Sequence, residues 1–378
     1  MKEFIPYGKQ LITNEDIKEV IKILKSDWLT TGPNIEKFER KICDFVGAKY
    51  CVAFSSGTSA LHGCMYAIGI KKGDEVIVPT LTFLSTANCV VFQNGKPVFV
   101  DVDEEKLLID PKKIYEKINK KTKAIISVDY GGHPCDYEEL ENISKKFGLF
   151  LIADASHSLG AKYKGKNVGT LADLTVFSFH PVKIITTGEG GAVVTNNEEF
   201  YIKLKRFRNH GINLEVRERL KEKILFYKME DIGYNYRITD FQCILGISQL
   251  KKIKKFLKRR NQIAEYYTQK LSNIKEVEPL KKEKDIYHAY HLYVVKLPNE
   301  KIRDGLYLYL REKNIGTNVH YYPVHLQPFY LKKFGTYKGM CPVAEEMYKK
   351  ILSLPIYPSL KKSQIDYVIK NIKMFFKK

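Results

Sequence analysis

The sequence has no apolar run approaching the roughly 20 residues of a membrane-spanning helix. Its start, Met1-Lys2-Glu3-Phe4-Ile5-Pro6, has no long apolar stretch of the secretory kind. A cytoplasmic protein without a membrane partner is therefore expected. Cysteines are present, but no two stand as Cys-x-x-Cys: they are Cys43, Cys51, Cys64, Cys89, Cys135, Cys243 and Cys341. An odd count without metal-binding spacing argues against a disulfide framework and a zinc site, and leaves buried, reduced thiols. His288, His291, His320 and His325 lack a supporting pattern such as His-Glu-x-x-His, so no metal is expected. A Walker-type phosphate loop is missing as well.

Acidic residues are the scarcer charge: 43 Asp and Glu against 63 Lys and Arg, a formal net charge of +20. The densest basic patch, residues 251–260, keeps Ile253, Phe256 and Leu257 at helical spacing, which describes an amphipathic helix with a solvated basic face. No helix-turn-helix, zinc-finger or RNP pattern accompanies it, so a nucleic-acid partner is not expected. A basic field also draws in small anionic substrates. The chain of 378 residues, 44% hydrophobic, is long enough for one large core and a smaller one.

The sequence alternates strand-like and helix-like segments. After two helices, the first from Asn14 with Ile17, Val20, Ile21 and Leu24 on one apolar face, strands are predicted at 50–54, 75–78, within 97–103, and at 124–129, 149–153, 174–177 and 192–195. Such alternation calls for an α/β protein with a mostly parallel sheet. A long helical stretch from Asp240 to about Leu271 then leads to a strand near residues 291–295 and a last helix through Ile365, Val368 and Ile372. The expected domains are 1–250, large and α/β, and 251–378, a linking helix with a small C-terminal α+β domain.

Several points along this frame can carry chemistry. Ser55-Ser56-Gly57-Thr58-Ser59 turns a strand directly into a helix, a place that offers free N–H groups to a phosphate, or is simply a capped helix. Asp154 ends a predicted strand, where open α/β sheets place ligands; it also suits a cap on the next turn. Lys183 lies between an apolar strand and the glycine-rich turn Thr186-Thr187-Gly188-Glu189-Gly190-Gly191. Desolvation there would leave part of its amine neutral and nucleophilic, although a surface lysine fits the spacing equally well. Phe83 reads as core, and 28–33 as a turn.

The run Ser178-Phe179-His180-Pro181-Val182-Lys183 with its glycine turn resembles the cofactor-bearing segment of the DegT/DnrJ/StrS family of pyridoxal-phosphate sugar aminotransferases. The resemblance extends from Trp28 to the last helix. It implies a fold-type I transferase in which Lys183 is catalytic and binds pyridoxal 5'-phosphate as a Schiff base. It further implies Thr58, Ser59 and Ser178 at the phosphate, Phe83 on the ring, Asp154 at the ring nitrogen and His157 beside the ring hydroxyl. Asn235 would reach the cofactor phosphate of a neighbouring subunit, which makes a homodimer with shared active sites the expectation. Trp28, Thr30, Arg237, His320 and His325 are implied on the substrate side.

Within the family, the opening, Ser127-Val128-Asp129-Tyr130 and the lysine segment look most like the pseudaminic acid branch. That branch aminates C4 of a UDP-linked 4-keto-6-deoxy-N-acetyl sugar, with glutamate as the expected amino donor. The alternatives are a nucleotide keto sugar of the perosamine or bacillosamine type, or a basic nucleic-acid-binding regulator on the same scaffold. Ile184 departs from the asparagine that many members carry after the lysine.

Overall fold

The computed structural model describes residues 3–377. Helices α1 (Asn14–Leu24) and α2 (Pro33–Val46) precede a run in which β1 (Tyr50–Phe54), β2 (Glu75–Pro79), β3 (Lys96–Val100), β4 (Thr122–Val128) and β5 (Phe150–Asp154) are separated by α3 (Gly57–Ala67), α4 (Ser85–Phe92), α5 (Pro111–Tyr115) and α6 (Tyr137–Phe147). A small ribbon, β6 (Lys162–Tyr163) and β7 (Lys166–Asn167), leads into β8 (Leu174–Ser178) and β9 (Gly191–Thr195). Helices α7 (Glu198–Arg208), α8 (Val216–Glu222), α9 (Asp240–Leu250) and α10 (Ile253–Leu271) follow.

The main sheet has seven strands in the order β1-β9-β8-β5-β4-β2-β3. Pairing is parallel from β8 through β5, β4 and β2 to β3, and β9 runs antiparallel to both β8 and β1. All strands but β9 therefore point the same way. The mostly parallel sheet expected from the sequence is thus the one found. Strands such as Val76-Ile77-Val78 and Ala124-Ile125-Ile126 are buried on both faces, which explains why they read as continuous apolar runs. Their carboxyl ends meet on one edge: the turn after β1, Thr80–Phe83 after β2, Asp154 of β5 and Ser178 of β8.

A second core gathers Ile263, Tyr267 and Leu271 of α10 with β12 (Tyr293–Lys296), α11 (Glu300–Glu312), β13 (Ile351–Leu354) and α14 (Lys362–Phe376). Two short strands, β10 (Glu278–Pro279) and β11 (Ile286–Tyr287), precede them, and α12 (Pro328–Phe334) and α13 (Pro342–Lys350) lie between α11 and β13. Leu292, Val324 and Ala344 pack instead into the first core, so the C-terminal third is stitched to the large sheet.

Two expectations change. The stretch 240–271 is two helices, broken at Lys251-Lys252, where Lys252 Nζ turns to the Asp16 carboxylate at 2.5 Å. Helix α1 does not bury its apolar face: Ile17, Ile21 and Leu24 are exposed, and Asp16 is buried instead, held by Lys252 and by Gln249 Nε2 at 2.9 Å. Among the described residues, no helix is long and apolar enough to cross a membrane.

Candidate active site

A cavity of about 600 Å³ opens at the strand edge. On one side lies the β1–α3 turn. Ser56 caps α3, its Oγ accepting the Ser59 N–H at 3.0 Å, while Ser59 Oγ accepts the Ser56 N–H at 3.0 Å. This reciprocal box consumes Ser59, which is buried and does not line the cavity. Gly57 and Thr58 do line it. A methyl group on Gly57 would stand 3.1 Å from Ser178 Cβ and 3.7 Å from Ser156 Oγ. The helix N-terminus, Ser178 and Ser156 thus converge on one point, a cradle of N–H and hydroxyl donors suited to a phosphate.

At the end of β5, Asp154 is buried, and its Oδ2 accepts from Thr86 Oγ1 at 2.7 Å. Lys183 follows β8 in a turn closed by its own N–H on His180 O at 2.9 Å. Loss of water around the amine pushes its pKa down to about 8, with the Asp154 charge pulling in the opposite direction. The sheet brings this lysine and this carboxylate together although they are 29 positions apart, because β5 and β8 are adjacent parallel strands.

Imidazoles form the facing wall. The His157 and His291 rings lie 4.2 Å apart, and the Gly131 N–H donates to His157 Nδ1 at 3.3 Å. That bond leaves the ring proton on Nε2, which donates to Tyr321 Oη at 3.2 Å. His320 stands on Ser353 Oγ at 2.8 Å through Nδ1, and Tyr130 Oη donates to the His320 carbonyl. Burial, reinforced by the Lys183 charge, holds His157 well below the ordinary range and brings His320 down to about 3. His291 is depressed by burial first, then by His157 and Lys183. The wall is therefore uncharged near neutral pH. Phe83, 54% exposed, forms the mouth with its ring 6.1 Å from Tyr321.

Of the residues singled out from sequence, Thr58, Phe83, Asp154, His157, Ser178, Lys183 and His320 meet in this cavity. His325 does not: it is fully buried, with Nδ1 on Thr80 Oγ1 at 2.5 Å and Nε2 on Glu345 at 3.0 Å, so it ties α13 to the end of β2. Asn235, Arg237, Trp28 and Thr30 lie outside the cavity of their own chain. Arg237 Nη1 donates to Asn209 Oδ1 at 2.7 Å, Asn235 bridges Asn209, and Thr30 bridges Thr239. Tyr7, Ser156, Asn318 and Tyr321 line the cavity without having been singled out, as does His291, which the sequence offered only as a metal ligand. Ser156, His291 and Tyr321 lie in stretches the sequence does mark, but Tyr7 carries no local signal.

Pyridoxal phosphate fits what is present. The Gly57 cradle has room that a side chain would fill, and His291 Nδ1 is a buried polar atom without a partner at the cavity wall. Thr58, Ser156 and Ser178 would hold the phosphate, Asp154 the ring nitrogen and Lys183 the carbonyl carbon.

A model of the DegT/DnrJ/EryC1/StrS aminotransferase family matches residues 10–373. The chain is 43% identical to the uncharacterized protein MJ1066 of Methanocaldococcus jannaschii, covering 98% of this chain and 97% of that one. It is 36% identical to GDP-perosamine synthase of Escherichia coli O157:H7, with 99% of each covered. Among solved structures, Helicobacter pylori PseC, an aminotransferase involved in the biosynthesis of pseudoaminic acid, superposes with a TM-score of 0.93 at 32% identity over 99% of this chain and 100% of that one. The PLP form of the sugar aminotransferase Spr1654 of Streptococcus pneumoniae gives 0.93 at 29% identity over 99% of each.

Proposed function

Because the chain belongs to the DegT/DnrJ/EryC1/StrS family and is a pyridoxal-phosphate-dependent sugar aminotransferase, we propose that it moves an amino group from glutamate to a nucleotide-linked 4-keto-6-deoxy sugar, UDP-linked and of the pseudaminic type. The observation that carries this reading is the Lys183 amine, its pKa pushed down to about 8, in one cavity with Asp154 and the Gly57 cradle. At pH 7 that shift leaves roughly one lysine in ten neutral, against about one in three thousand at the ordinary value. When bound, the cofactor supplies the carbonyl that accepts the amino group and the electron sink that lets a carbon–hydrogen bond ionise.

The chain's residues do the rest. Lys183 Nζ, neutral, takes the proton from the donor carbon and, charged, returns one to the sugar carbon. The Asp154 carboxylate favours a protonated ring nitrogen, and its bond from Thr86 fixes its orientation. His157, its tautomer set by Gly131, offers Nε2–H to Tyr321 Oη and so orients that phenol at the sugar side. The aromatic and imidazole wall excludes water, which protects the transferred proton from exchange.

A GDP-linked keto sugar is the second reading, favoured by the 36% identity to GDP-perosamine synthase. Turnover with glutamate of UDP-linked against GDP-linked 4-keto-6-deoxy sugars separates the two: a preference for GDP sugars overturns the first. The shared-site homodimer belongs to the same proposal. Asn235 and Arg237 lie outside their own cavity, and the neighbouring loop exposes Leu225, Phe226 and Ile232, each at least 70% exposed. Sedimentation of the wild type should give a dimer, and Leu225→Glu with Phe226→Glu a monomer whose kcat is lowered at least about tenfold. A fully active monomer would remove the shared-site proposal.

A further inference from the structure

A second cavity, about 370 Å³, lies between α2, β1 and α7 and has both Cys43 and Cys51 on its wall. The register of α2 against β1 is fixed beside it by a charged clamp. Glu39 Oε1 accepts the Ala53 N–H at 2.8 Å, and Arg208 Nη1 donates to that carboxylate at 2.6 Å and to the Ala53 carbonyl at 3.0 Å. Cys43 is one helical turn beyond Glu39, and Cys51 is two residues back along the strand from Ala53, on the same face. A helical turn advances about 5.4 Å and two strand residues about 6.6 Å, nearly equal steps. The clamp that sets Glu39 on Ala53 therefore sets Cys43 beside Cys51, and both cysteines line the same cavity.

The neighbouring Cys51 thiol lowers the Cys43 thiol from its ordinary value, while burial pushes Cys51 well above it. Cys43 is partly exposed to the cavity, whereas Cys64, Cys89, Cys135, Cys243 and Cys341 are buried, with thiols raised by burial. Access and a neighbouring second cysteine on the same cavity wall thus coincide at Cys43.

We propose that Cys43 and Cys51 are an oxidisable pair that closes to a reversible intramolecular disulfide on exposure to hydrogen peroxide. The Cys43 thiolate attacks one peroxide oxygen and breaks the O–O bond, giving a sulfenic acid and hydroxide, which takes up the proton the thiol had released. The Cys51 sulfur then attacks the Cys43 sulfur and the sulfenic oxygen leaves with the Cys51 proton as water, so two thiols are oxidised and one peroxide becomes two waters. The two sulfurs must approach to about 2.05 Å, which the end of α2 can accommodate because Gly47 terminates the helix just beyond Cys43, at φ 87°.

The test treats the reduced holoenzyme with hydrogen peroxide, blocks remaining thiols with iodoacetamide after denaturation, and maps the peptides by mass. A Cys43–Cys51 cross-linked peptide is expected, reversed by dithiothreitol, with the other cysteines alkylated and reacting at least about tenfold more slowly. Cys51→Ser should trap a dimedone-reactive sulfenic acid on Cys43, and Cys43→Ser should leave Cys51 a free thiol. Sulfinic acid on Cys43 beside a free Cys51 in the wild type, or first reaction at one of the buried cysteines, would overturn the proposal. The wild-type map decides whether or not the variants fold.

Discussion

Lys183 and His157 show how far a single side chain's chemistry is made by its surroundings. A lysine at its ordinary pKa would load cofactor slowly at neutral pH, since the neutral amine is the reacting form. With the value near 8, the rate of pyridoxal phosphate uptake by apoprotein should rise about tenfold per pH unit below 8 and level off above it, followed by absorbance in a stopped-flow instrument. A rise continuing past pH 10 would show that the amine is not desolvated. Lys183→Ala should lower turnover at least about a hundredfold while leaving the unfolding midpoint unchanged or raised, because the charge it removes is costly where it stands. The lysine's importance was legible in its flanking residues, and its pKa was not, because desolvation depends on what the fold packs around the amine.

At the scale of elements, the β1–α3 turn and the β2–α13 tie do different work. Gly57→Ala places a methyl group 3.1 Å from Ser178 Cβ. It should weaken pyridoxal phosphate binding at least about tenfold by absorbance titration without lowering stability, since alanine suits a helix better than glycine. Unchanged affinity would remove the cradle from the phosphate site. His325→Ala should instead cost about 1–3 kcal/mol in urea unfolding, because Thr80 Oγ1 and Glu345 lose a buried partner. His325 looked like a substrate group because it shares a loop with His320, five residues away. The 3₁₀ turn at Val324–Leu326 carries it into the interior instead, while Ser59 is likewise withdrawn by its capping box. Spacing along a loop does not say which side chains face the ligand.

Across the whole molecule, seven buried or partly buried histidines are kept neutral. His62, His133, His157, His288, His291, His320 and His325 are all held below the ordinary value, burial being the largest cause in each, with His62 and His133 brought to about 4. Each folded-state pKa lies below its unfolded one, so the unfolded chain binds more protons once the pH drops below about 6.5. The stability these groups hold above that pH is lost as it falls toward 4, by up to roughly 1.4 kcal/mol per pH unit for each group. The thermal midpoint should therefore fall steeply between pH 6.5 and 5 and change little between pH 7 and 8, measured at constant ionic strength. A flat profile would mean these rings titrate freely.

The sequence alone determined the sheet, since strands buried on both faces must be written in apolar residues, and it marked Lys183 and Asp154, which the fold brings into one cavity. It also marked Gly57 and Ser178, which line that cavity. Only the tertiary structure decided which histidines line the cavity, that α1 turns its apolar face outward and buries Asp16 against Lys252, that residues 240–271 break in two, and that Cys43 and Cys51 share a cavity wall. Each of these depends on packing between segments far apart in the chain, and no local pattern records what another element will cover.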